Sequence, residues 1–223
     1  QPFNSNVKIE WEEILTDYIS EFNNINLKSR KVKSKQELIN KYSHLCLLPI
    51  SLDNIKSINK MLLTDLQSDN PCYKFIIKIL PKIRIIKCDL SLEIGFQHTH
   101  KDIIVFSEEY LKSPLIETFI HECVHIDQRL NPNKYLKLYA KWGFIKYPIR
   151  KIYGLEKIIS RSRMNPDGRD INWLWISPLN QSYWLGAVFT TSNPDSLTQV
   201  ENRIYKINSR AKCSNKRGVF GKN

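Results

Sequence analysis

The sequence predicts an α+β protein, and three observations predict it. Apolar residues recur at helical spacing through the first 70 residues. Short β-branched runs crowd the stretch between residues 73 and 106. A strongly apolar helix pattern with a start signal follows at residues 114–130. The expected organisation is an N-terminal helical region, 1–70, ahead of a second region, 71–223, that ends in a basic tail.

Each element has its own signal. Trp11, Ile14, Leu15, Tyr18, Ile19 and Phe22 form one apolar stripe of a first helix. Ser34 and Glu37 make a capping-box pattern before Leu38, Ile39, Tyr42 and Leu45. Ser51 caps a third helix carrying Leu52, Ile55, Ile58, Met61, Leu62 and Leu66. "YKFIIKIL" and "IRIIKCDL" read as strands on either side of Pro81. "LEIGFQ" and "KDIIVF" read as the two arms of a hairpin whose tip is "HTH", residues 98–100. Ser113 as N-cap and Pro114 as first helical residue open the helix that stops before Pro132. A further helix covers about 132–141 and ends near Gly143, and "NPDG", 165–168, is a turn. Beyond residue 160 the chain reads as Trp-rich and irregular, with a last helix on "SLTQVENRIYKI".

Composition narrows the classes. With 223 residues, 42% of them hydrophobic, the chain can bury a sizeable core. No run approaches the roughly 18 apolar residues of a membrane span. Five cysteines without a CxxC pair argue for reduced thiols and an intracellular setting. The chain opens on Gln1 rather than Met, which leaves room for a processed leader ahead of it. The net charge of +12 gathers in "LKSRKVKSK", Leu27 to Lys35, and in the tail, with Arg203, Lys206, Arg210, Lys212, Lys216, Arg217 and Lys222. Such runs are solvated faces or surfaces for nucleic acid or an acidic partner.

The chemistry gathers in "FIHECVHIDQ", 119–128. At about 100° per residue His121 and His125 lie some 40° apart on one helix face, so both imidazoles can meet one ion. Glu122 sits about 100° round from His121, where it serves a water rather than the ion. This H-E-x-x-H pattern resembles the zincin superfamily of metallopeptidases. The resemblance spans roughly residues 90–205 and implies a zincin-like catalytic core, a small mixed sheet plus an active-site helix, with Zn2+ as cofactor and a protein or peptide as substrate. It also implies a substrate-binding edge strand ahead of the helix, where "DIIVF", 102–106, stands. The sequence departs from the metzincin extension, having Gln128 and Asn131 where Gly and His would stand. It also lacks the Asn-Glu pair of the thermolysin-like third-ligand helix. The "HExxHxxQR" helix, the "NPDxxD" loop and the Trp-rich segment are similar to uncharacterised zincin-like proteins of large DNA viruses.

No histidine follows the motif, so a third ligand downstream is a carboxylate or a thiolate. Asp167 is the expected ligand, in a turn stiffened by Pro166, and Glu201 is the runner-up. Asp127 points away from the histidine face. Three protein ligands leave a fourth position for water, which zinc acidifies toward a pKa of about 7. Glu122 is then the general base of peptide-bond hydrolysis. Tyr153 or Tyr183 would hold the oxyanion, and Trp173, Trp175 and Trp184 would line an apolar subsite or pack the core. Two alternatives stand beside this reading: an inactive zincin-fold structural or virion protein, and a nucleic-acid-associated protein that works through its basic tail.

Overall fold

The computed structural model describes residues 5–46, 48, 50–89, 92–149, 152, 154–167, 171–207 and 213–214. It is a mixed structure of helices and two sheets, as the α+β expectation has it. The chain divides into two compact units, each built from two stretches of sequence: 1–21 with 35–132, and 22–34 with 133–223. Among the described residues no helix is long and apolar enough to cross a membrane.

In chain order the helices before the first strand are α1 (Ser5–Ser20), α2 (Asn24–Lys28), α3 (Lys35–Leu45), α4 (Leu52–Asp65) and α5 (Tyr73–Ile79). The predicted stripe of α1 is buried throughout, with Leu15, Tyr18 and Ile19 fully inaccessible; Leu38 and Tyr42 of α3 are buried likewise. Ser51 and Asn54 form a reciprocal capping box at the start of α4. Of that helix's expected inward residues, Ile58 and Met61 are buried, while Leu52 and Ile55 face solvent.

Helix α5 corrects the strand expected at "YKFIIKIL". Ile76 and Ile79 are buried three residues apart, and Asn70 receives the Cys72 amide at 2.8 Å just ahead of the helix. Burial of the isoleucines on one side of a helix outweighs their β preference.

The strands β1 (Arg84–Cys88), β2 (His98–His100) and β3 (Ile103–Ser107) form a sheet of order β1-β3-β2, with β1 parallel and β2 antiparallel to β3. The hairpin is therefore "HTH" paired with "IIVFS", turning at Lys101-Asp102, and "HTH" is a strand rather than a tip. "LEIG" is a tight turn, with Glu93 and Ile94 at φ of 44° and 57°. The buried Glu93 carboxylate, which accepts the Tyr42 hydroxyl, holds that turn. The segment placed at the sheet edge by its sequence is instead the central strand, and β2 is the antiparallel edge.

Ser107 ends β3 and caps the next helix, α6 (Glu108–Lys112). α7 (Ile116–Leu130) begins two residues later than Pro114, and its N-cap is Leu115, not Ser113. Ile116, Phe119, Cys123 and Ile126 bury one face of α7 against Ile104 and Phe106 of β3 and Ile58 and Met61 of α4.

The second unit begins its later stretch in α8 (Pro132–Lys141), which ends ahead of Gly143 at φ 84°. β4 (Phe144–Lys146), α9 (Glu156–Ile159), β5 (Trp173–Ile176), β6 (Ser182–Phe189), β7 (Val200–Ile207) and β8 (Cys213–Ser214) follow. The strands form one antiparallel sheet in sequence order. This sheet replaces the irregular region expected after residue 160, and β7 replaces the expected last helix. β6 and β7 pair over eight positions, from Ser182↔Ile207 to Phe189↔Val200. The core of this unit is Ile149, Ile152, Leu155, Leu174, Trp184, Val188 and Tyr205.

The basic run Leu27 to Lys35 is in part the solvated face its charge suggested, with its lysines exposed, but it also carries buried residues. Asn26, Arg30 and Val32 are buried, while Lys28, Lys31 and Lys33 are exposed. The Asn26 amide group donates to Ser162 O at 3.0 Å and its Oδ1 accepts the Met164 amide at 2.8 Å. Arg30 donates to Met164 O at 3.1 Å. Of the basic tail, Arg203 and Lys206 lie on β7, and Arg210, Lys212, Lys216, Arg217 and Lys222 lie outside the described residues.

Candidate functional site

The motif helix α7 exists because one face is apolar at helical spacing and its ends carry the right charges, Glu117 in the first turn and Arg129 in the last. That leaves the opposite face for polar residues. His121 and His125 stand there one turn apart, and their Nε2 atoms approach to 3.0 Å. Two imidazole nitrogens at this distance need a proton or a cation between them. A metal at about 2.0–2.1 Å from each nitrogen would subtend roughly 90–97° at this separation. A tetrahedral angle requires the rings to open by only about 0.3–0.4 Å. The donor pair therefore fits a metal of the zinc class.

His125 is also held from behind. Its Nδ1 lies 3.0 Å from Gln128 Oε1, so a proton on Nδ1 is donated to that amide oxygen and the Nε2 lone pair faces His121. Gln128 was not singled out by sequence. Its signal was present, three residues after His125 and so on the same helix face.

Glu122 is only 3% exposed. Burial and then the Glu122 charge push the Cys123 thiol up to about 12. The Tyr110 phenol is raised for the same reasons, burial first, and its hydroxyl donates to Leu115 O at 2.9 Å at the start of α7. At the far end Arg129 donates to Thr99 Oγ1 at 2.6 Å and to Thr99 O at 3.2 Å. The edge strand β2 is thereby tied to α7 one turn past His125.

The structure brings His121, Glu122 and His125 together on one turn of α7. Asp167 and Glu201 belong to the other compact unit. Asp167 lies in a bend after Pro166, its amide 3.4 Å from Asn165 Oδ1. Glu201 lies on β7 rather than on a helix, and Arg203 two residues on donates to its carboxylate. Among the described residues no group of three or more His, Cys, Asp or Glu side chains is arranged to hold a metal.

The Tyr183 hydroxyl donates to Gln181 Oε1 at 2.5 Å, and Tyr153 lies outside the described residues. Trp184 is core, Trp175 donates to Trp142 O at 3.0 Å, and Trp173 packs edge-on to Tyr139. His98 and His100 are buried on β2, with Trp11 and Tyr18 against the His100 ring.

Comparison with protein-family models, with curated proteins and with solved structures found no match.

Proposed function

We propose that the chain is a zinc-dependent metallopeptidase of zincin type whose working centre is His121, Glu122 and His125. The observation that carries the reading is the pair of Nε2 atoms facing each other at 3.0 Å, one of them backed by Gln128. The mixed three-stranded sheet with an antiparallel edge, followed after the short α6 by this helix, supports it. His121 and His125 would hold the ion through Nε2. A bound zinc supplies Lewis acidity toward the scissile carbonyl and acidifies the attacking water. Glu122 would serve as general base toward a water at this site and would return the proton to the leaving amine nitrogen. Gln128 keeps the His125 proton on Nδ1, away from the ligand position. Arg129 fixes the edge strand β2 to the helix that carries the histidines.

The test is metal content together with turnover. Protein purified without a metal-affinity tag is expected to carry close to one zinc per chain. Glu122→Gln should keep that zinc and lose peptide hydrolysis by about two to four orders of magnitude. His121→Ala and His125→Ala should lose the metal. A folded protein that takes up no zinc, or a Glu122→Gln variant with normal turnover, overturns the proposal.

A further inference from the structure

The second unit contains a cavity of about 260 Å³ on the face of its sheet where α9 packs. Lys157 of α9 and Arg161 just after it line one side; Val188 of β6 and Arg203 and Tyr205 of β7 line the other. The sequence places these five residues for a reason visible in the pairing. Val188 and Glu201 are cross-strand partners, as are Gly186 and Arg203, and Trp184 and Tyr205, so alternate residues of both strands share this face. The segment after α9 is stitched to the same strand, with Arg163 N donating to Ala187 O and Phe189 N donating to Arg161 O, each at 2.9 Å.

Three cationic side chains therefore surround one small cavity, and two of them are incompletely used. Arg161 is anchored through Nη2 on Phe189 O. Arg203 is anchored through Nη1 on the Tyr205 hydroxyl at 3.4 Å and through Nη2 on Glu201. The Nε–H of each guanidinium is buried and meets no acceptor. Buried donors of this kind are rare in folded proteins and call for a partner. The nearby carboxylates do not supply one. Glu201 is engaged by the terminal nitrogen of Arg203, and Glu156 accepts the Gly154 amide at 2.8 Å. Three cations against these two carboxylates leave one net positive charge.

We infer that this cavity binds a phosphate-class oxyanion, either inorganic phosphate or the phosphoryl group of a small phosphomonoester. The Arg161 and Arg203 side chains reach the cavity from separate elements and Lys157 from a third position, which suits a tetrahedral anion approached from several sides. The volume lies below the roughly 300–1,000 Å³ of clefts that hold drug-sized ligands, so the occupant is a phosphate with little attached to it. The site is independent of the proposed peptidase chemistry.

Titration of the full chain with inorganic phosphate and with glycerol phosphate, at constant ionic strength and with acetate as control, tests this. Saturable binding at one site per chain is expected for at least one phosphate ligand, with acetate at least about tenfold weaker. Arg161→Gln and Arg203→Gln should each weaken it about tenfold or more. Because Arg203 also holds Glu201, its variant is checked for folding by circular dichroism. The Lys157→Gln variant, which changes only an exposed side chain lining the cavity, should weaken binding severalfold with the fold intact. Absence of phosphate binding, equal affinity for acetate, or undiminished binding by Arg161→Gln and Lys157→Gln overturns the inference.

Discussion

His125 is constrained at both ring nitrogens, by Gln128 at Nδ1 and by His121 at Nε2. A partner that fixes the tautomer of a metal-binding imidazole typically matters by one to two orders of magnitude in affinity. Gln128→Leu is therefore expected to weaken zinc binding about 10–100-fold, read by competition with a chromophoric chelator, while the helix content stays constant. An unchanged affinity would show that Gln128 does not orient the ring. The histidine pair was legible because i, i+4 spacing alone puts both rings on one face. Gln128 stood at an equally readable spacing but was seen only as a departure from another pattern. Arg30 was hidden inside a basic run and Asn26 just ahead of it, since charge on a sequence does not reveal which residue is buried.

At the scale of elements, the helices of the first unit were legible where an apolar stripe coincided with a cap, as in α1 and α4. α5 was misread because Ile76 and Ile79 favour strands locally but are buried at helical spacing. The second sheet was missed for a related reason. β6 and β7 have partly buried residues on both faces, so no clean alternation marks them. One prediction belongs here. Arg84 of β1 donates bidentately to Glu10 of α1 and to Asp102 at the β2–β3 turn, all at 2.6–2.8 Å. The Arg84 hydrogen bond lowers the Glu10 pKa. Partial burial pushes Asp102 up, but the same guanidinium outweighs it and the net direction is down. Depressed carboxyls stabilise the fold above their unfolded values of about 4, and that contribution is lost as pH falls through the folded values. Wild-type protein should therefore lose more melting temperature between about pH 5 and pH 3 than Arg84→Met does. The side chains are about one-third to two-fifths exposed, so the difference should be about 1 kcal/mol or less. Parallel pH profiles for the two proteins would remove the triad as the cause.

For the whole molecule, the chain's route decides what can fold. It leaves the first compact unit at Phe22, returns at Lys35 and leaves again after Pro132. The stretch 22–34 is thus an insertion into one unit that serves the other. Its role there is specific. Asn23 donates to Ser160 O at 2.7 Å, Asn26 pairs with Ser162 O and the Met164 amide, and Arg30 takes Met164 O. Ser162 and Met164 are buried with 22–34 in place, so its removal takes away three hydrogen bonds and uncovers apolar surface at the same time. Each bond contributes about 0.5–1.5 kcal/mol net. Together with the lost burial this is a large share of the stability of a small domain, about 5–15 kcal/mol. A fragment spanning residues 133–223 should therefore be unfolded, with a collapsed range of amide proton shifts and no cooperative melt. In the full chain, Asn26→Ala combined with Arg30→Met should lower the melting temperature through the same lost bonds. A well-dispersed spectrum and a cooperative transition from the 133–223 fragment would show instead that its sheet is self-sufficient, and that the buried hydrogen bonds to Asn26 and Arg30 add little to it.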